Sequence, residues 1–210
     1  MRGASAAAQI VVVAVGVVLV GSSVAAAQSA REQLDRAMKD FVAGRIAESV
    51  AGFDRVARLD PASAPYLWQR GIALYYAGRY ADCRDQFVSH RTVNPDDVEN
   101  AAWHFLCVAK AESPAAARAA ILPVGPDARV PMRQVYEMFR GTLTEAQVMA
   151  AAGADPSAQF FANLYAGLYL DATGNREGAR KRISAAADPK FAAAGGYMHD
   201  VARVHLRSNR

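Results

Sequence analysis

Between residues 30 and 95 the apolar positions return every three or four residues. Leu34, Ala37 and Phe41 mark one stripe, Leu67, Leu74 and Tyr75 a second, and Tyr80, Cys83 and Phe87 a third. That spacing places side chains on one face of an α-helix. Gly44, Pro61, Gly78 and Pro95 punctuate the stripes, so the pattern predicts short helices joined by tight turns. Long β-branched alternation is missing outside the first 25 residues, and alanine is abundant throughout. The expected fold is all-α.

The stripes repeat. "AGRIAESVAGFDRVARLDP" (43–61) aligns with "AGRYADCRDQFVSHRTVNP" (77–95), pairing Gly44 with Gly78, Phe53 with Phe87 and Pro61 with Pro95, each 34 residues apart. A further copy lies at 161–189, where Gly167 and Gly174 stand seven apart, as Gly71 and Gly78 do. A period of 34 is that of the tetratricopeptide (TPR) helix-turn-helix, whose units bury their apolar faces only by stacking on neighbours. Glycine inside a helix weakens it by roughly 1 kcal/mol relative to alanine. Gly71 therefore marks a close approach of two helices, expected against small residues of the second helix, Cys83 here and Ala179 in the later copy. Gly78 is expected to end the first helix in the left-handed conformation, and Asn94-Pro95 to close the second.

The register divides the chain into repeats at 30–61 and 64–95, a degenerate third at 97–122, a helical pair at 130–153, a repeat at 157–187 and a capping helix at 191–207. Thr142 with Glu145 three residues on suggests a capping box in the helical pair. Ahead of all this, residues 1–27 carry Arg2, an apolar run from Ile10 to Val20 and a closing Ala25-Ala26-Ala27. That order is a secretory signal peptide with cleavage before Gln28, and it predicts a secreted, periplasmic product.

At these residues the chain resembles the bacterial envelope TPR lipoproteins typified by new lipoprotein I. The resemblance runs from "FDRVARLDPASAPYLWQRGIALYYAGRYAD" through a "WHFLC" degenerate repeat to "FFANLYAGLYLDATGNREGA", about residues 30–205. Residues 90–139 also resemble a set of exported or organellar TPR proteins. The resemblance implies a TPR-type α-α superhelix in the cell envelope that docks partners such as an envelope protease or a cell-wall hydrolase. That family is anchored through an acylated cysteine after its signal. The stretch "SSVAAAQSA" holds no cysteine, so no lipid anchor is expected.

The formal charge is +4, and deleting Arg2 with the leader leaves +3. So mild a balance carries no footprint for nucleic acid. On the concave side of the stack Trp68, Ile72 and Tyr76 are candidate partner-binding residues, because aromatic rings bury large area at little entropic cost. Arg91, Trp103 and His104 join them from the segment that departs from the repeat. The end face of such a stack also suits a homodimer. Two cysteines, Cys83 and Cys107, are expected as buried thiols, with a Cys83–Cys107 disulfide as the alternative, since neighbouring helices bring such positions close.

The sequence holds no G-x-S-x-G elbow, H-E-x-x-H pair or glycine-rich phosphate loop. The reading is a non-enzymatic scaffold that needs no cofactor and no metal. Two alternatives stand beside it. One is a metal-assisted hydrolase built on His90, Glu99 and His104. The other is a membrane-surface tether using an uncleaved N-terminus and the basic run "REGARKR" (176–182).

Overall fold

The computed structural model describes residues 29–208, and the expected leader lies outside them. Every regular element among the described residues is helical. The first pair is α1 (29–42) and α2 (Ile46–Leu59), followed by a 3-10 segment at Pro61–Tyr66. The second pair is α3 (Trp68–Tyr76) and α4 (Tyr80–Arg91), and the third is α5 (Val98–Ala111) with the short α6 (Pro114–Ala119). After a proline-rich loop come α7 (Met132–Arg140) and α8 (Glu145–Ala152), then α9 (Pro156–Ala172), α10 (Arg176–Ala186), α11 (Ala192–Gly195) and α12 (Tyr197–Ser208). None of these helices is long and apolar enough to cross a membrane.

Three hairpin turns share one geometry. Gly44, Gly78 and Gly174 all have positive φ, 80°, 74° and 92°. At Gly78 the amide donates to the Tyr75 carbonyl at 3.1 Å, and the next amide, Arg79, reaches back to Leu74 at 3.0 Å. This pair of bonds satisfies the last carbonyls of α3 and turns the chain into α4. The same two bonds recur after α1 and α9, from Gly44 and Arg45 and from Gly174 and Asn175.

The close approaches are real, but their partners differ from expectation. A Cβ on Gly71 would lie 2.6 Å from the Phe87 ring, and one on Gly167 would lie 2.7 Å from the Ile183 side chain. Phe87 and Ile183 sit one helical turn beyond Cys83 and Ala179, so the glycines admit large apolar groups rather than meeting small ones. Cys83 is turned away, toward α5. In the first pair the glycine changes sides: Gly52 of α2 faces Ala37 of α1, whose Cβ would be 2.8 Å from an added one.

The degenerate repeat proves to be the hub. Helix α5 buries eleven of its 14 residues and touches α3, α4, α6, α7 and α9. A helix enclosed on all sides must be apolar on all sides, which is why its stripe is blurred in the sequence. Cys83 of α4 and Cys107 of α5, both wholly buried, form a disulfide with Cα atoms 5.9 Å apart. The buried-thiol expectation is therefore corrected: the α4–α5 contact leaves the two sulfurs nowhere to point but at each other.

A second correction concerns α8. Its cap is Thr144, whose hydroxyl accepts from Gln147 N while the Gln147 side chain accepts from Thr144 N. Thr142 instead closes α7, donating to the Glu137 carbonyl at 2.9 Å. The left-handed Gly141 stops α7 early enough that the next helix begins two residues later than its first threonine.

Helix α12 packs on α10 and α11, as a cap should. It also reaches across to the first two pairs. Tyr197 stacks on Phe41 with ring centroids 5.7 Å apart and meets Trp68 edge-on at 5.4 Å. Arg207 donates to the Val42 carbonyl at 2.7 Å. The two ends of the described chain are thereby joined.

Candidate functional site

Closure by α12 decides what becomes of the expected groove. Ile72 has no exposed surface and Trp103 is 1% exposed, so both belong to the core. Tyr76 is covered by α12, its hydroxyl 3.0 Å from His205 Nδ1. Arg91 lies away from the aromatic residues, donating Nε to the Pro123 carbonyl at 2.9 Å and so pinning the proline-rich loop. His104 is buried, and burial holds its imidazole down to about 4, with the nearby Arg84 adding to the effect. Trp68 is half-buried, in the same range as Tyr76 and Arg91.

What remains between α3, α4, α5 and the start of α12 is a recessed cavity of about 330 Å³. Its aromatic walls are Trp68, Phe87, Trp103 and Tyr197. Phe87 and Trp103 lie nearly parallel, with centroids 6.2 Å apart. The Tyr197 hydroxyl is buried without a hydrogen-bond partner. The Trp103 Nε1 likewise makes no hydrogen bond of good geometry, with the Tyr165 hydroxyl close by.

The polar side of the cavity is built by the turn into α5. Asp97 caps that helix, accepting from Glu99 N at 3.0 Å, and holds the Asn94 amide at 2.9 Å. Cap position and helix dipole both favour a carboxylate there. Glu99, two residues on, accepts from the Tyr165 hydroxyl at 2.5 Å and from Arg129 at 2.6 Å. Burial raises its carboxyl above the usual range and Asp97 adds to this, against the lowering pull of Tyr165 and Arg129. Arg129 comes from the proline-rich loop and also bridges Asp97 and Asp127, each at 2.6 Å. Three carboxylates thus share one guanidinium, and the cluster keeps an excess of negative charge. No sequence signal singled out Arg129 or Asp127. Their loop carries no helical period, and only the fold brings it against α5.

The three residues of the hydrolase alternative line up poorly for that chemistry. His90 Nδ1 bonds the Pro65 carbonyl at 2.8 Å, Glu99 is engaged by Arg129 and Tyr165, and His104 is core. His90 and Glu99 do share the cavity wall. Among the described residues no group of three His, Cys, Asp or Glu side chains is placed to hold a metal ion.

A second, larger cleft of about 750 Å³ lies beside α9, α10 and α12. Arg176 and Arg180 of the basic run line it, together with the Lys110–Asp171 ion pair at 3.0 Å. Arg182 of the same run is engaged by Glu145 of α8. The run is therefore divided between the cleft and an internal ion pair.

No protein-family model matches the chain, and no curated protein matches it significantly.

Proposed function

We propose that the protein is an exported, non-enzymatic scaffold of TPR type that holds a protein partner, and that the recessed cavity beside Trp68 is where the partner enters. The observation that carries this reading is the cavity itself. It opens between α3, α4, α5 and the start of α12, it is walled by aromatic rings, and it includes Trp68, a half-buried concave-face candidate that keeps part of its surface. A hole of this size takes a side chain or a chain terminus, not a whole helix, because α12 already occupies the broad face.

Two further features support the reading. The turn geometry at Gly44 and Gly78 repeats at the 34-residue interval read from the sequence and recurs at Gly174, which is what a stack of like units requires. The Cys83–Cys107 disulfide suits an oxidising compartment and thus export.

The test is site-specific photo-crosslinking in the native host, with the reactive amino acid placed at Trp68 or, as a control, at the exposed Glu48 of α2. A partner captured from position 68 and not from position 48 supports the assignment. Identical adducts from both positions, or none from position 68 in a folded protein, would overturn it. Mass spectrometry of the mature chain, expected to begin at Gln28, checks export. An intact N-terminus would favour the tether.

A further inference from the structure

We infer that the Trp68 cavity is an ammonium site: it takes an organic cation, either a free quaternary or primary amine or the side chain of a lysine. The inference rests on the cavity being a binding site, as argued above, and names the chemistry it would accept.

The walls make the case. Trp68, Phe87, Trp103 and Tyr197 surround the space, and an aromatic face carries a negative quadrupole that attracts a desolvated cation. Two carboxylates, Asp97 and Glu99, stand on the same wall. Arg129, which bridges them, is shared with Asp127 as well, so this one positive charge answers three negative ones. No lysine or arginine lines the cavity, and His90 has its Nδ1 engaged by Pro65. An anion entering here would meet like charge, and a neutral apolar group would leave the charge excess of the cluster uncompensated. A cation satisfies both the rings and the acids.

A second feature points the same way. Tyr197 lines the cavity, and its hydroxyl is buried without a hydrogen-bond partner. Buried polar groups rarely stay so, because an unmade hydrogen bond is costly. A ligand carrying a hydroxyl or amide oxygen next to its cationic head would give that hydroxyl a partner once the Tyr197 ring turns toward the cavity.

The two tryptophans of the chain, Trp68 and Trp103, both line this cavity. Intrinsic tryptophan fluorescence of the purified protein therefore reads the site directly. Choline should change the emission in a saturable way, whereas its neutral isostere 3,3-dimethylbutan-1-ol should bind at least tenfold more weakly. Trp68→Leu keeps an apolar wall and removes one π face, and should weaken choline binding roughly tenfold, read by calorimetry. Tyr197→Leu serves where Trp68→Leu fails to fold. N-acetyl-lysine-N-methylamide separates the two sources: tighter binding than choline assigns the site to a lysine of a protein partner, and weaker binding to a free amine. Equal binding of choline and the neutral isostere would overturn the cationic assignment while leaving the cavity as a partner site. No binding by any of the three probes to folded protein would overturn it as well. Loss of the position-68 crosslink with choline binding intact would sink the scaffold reading alone.

Discussion

Tyr76 and His205 are 129 residues apart in the chain and 3.0 Å apart in the fold, the hydroxyl meeting Nδ1 where α12 crosses α3. Burial drives both groups toward their neutral forms, raising the tyrosine well above its ordinary value and holding the histidine down to about 4. Asp171 opposes the shift on the histidine and Lys110 adds to it. This contact between α3 and α12 is thus built from two uncharged partners.

That arrangement makes stability depend on pH in a stated direction. His205 and His104 both titrate near 4 when folded and near the ordinary 6.5 when unfolded. The unfolded chain therefore takes up protons first as pH falls from about 6.5, and the contribution present above that pH is lost toward 4. The expected loss is about 1–3 kcal/mol per histidine. Glu99 works the other way, since its raised carboxyl pKa stabilises the fold as it gains a proton. Urea unfolding at pH 7.5 and pH 4.5 measures the balance, and His205→Gln should flatten the profile. A midpoint that rises on acidification would contradict the assignment.

Reduction of the disulfide is expected to be slow and then damaging. Both sulfurs have no exposed surface, so a thiol reagent reaches them only when α4 and α5 separate. The bond closes a loop of separation 24, for which chain entropy implies about 3 kcal/mol of stabilisation. Native protein in dithiothreitol should resist reduction for many times longer than in urea, by thiol trapping and mass. The Cys83→Ser/Cys107→Ser protein should unfold at a midpoint lower by the equivalent of about 2–4 kcal/mol. Rapid reduction without denaturant would place the bond nearer the surface than the structure does.

Alanine at Gly167 gains up to ~1 kcal/mol of helix propensity but drives a methyl into Ile183. Its Cβ would stand 2.7 Å from the Ile183 side chain and 3.0 Å from that residue's backbone nitrogen. Overpacking of a tight core costs about 1–3 kcal/mol, so Gly167→Ala should be net destabilising by roughly 1–2 kcal/mol. Adding Ile183→Ala should recover part of that loss, a non-additive pair in a double-mutant cycle. Strict additivity would show that the close approach carries no energy.

The interval between Gly44 and Gly78, and the pair Gly167 and Gly174, were legible because a hairpin needs its left-handed residue at a fixed place. Helix boundaries followed from the same signals, with Ser113 and Asp97 capping α6 and α5. The facing partners of the glycines were missed by one helical turn. Sequence spacing tells which side of a helix meets its neighbour, but not how far one helix slides along the other. The path of α12 was also hidden. Its apolar stripe announces a buried face without saying whether that face lies on the nearest hairpin, the farthest, or both. For the site, Trp68 and Glu99 stood out by type, whereas Arg129 sits in a loop whose placement only tertiary contacts define.

Arg129 provides the last test, because with Asp127, which accepts from the Val98 amide at 3.2 Å, it fastens that loop to α5. Its guanidinium reaches Asp97, Glu99 and Asp127, while the Asp127 side chain is only 5% exposed. Removing the cation leaves three carboxylates facing one another, and breaking a fully buried pair in this way costs about 3–5 kcal/mol. Arg129 itself is 43% exposed, so solvent screens part of the effect and Arg129→Ala should destabilise by roughly 1–3 kcal/mol. Lysine keeps the charge but not the fork that serves three acceptors, and should restore less than half of the loss. The deficit should shrink at pH 4, because burial raises the Glu99 carboxyl above its usual value and its protonation there relieves the repulsion. Equal deficits at pH 7.5 and pH 4 would mean that Arg129 acts through packing against Phe161, whose ring centroid lies 5.9 Å from its guanidinium carbon, and not through charge.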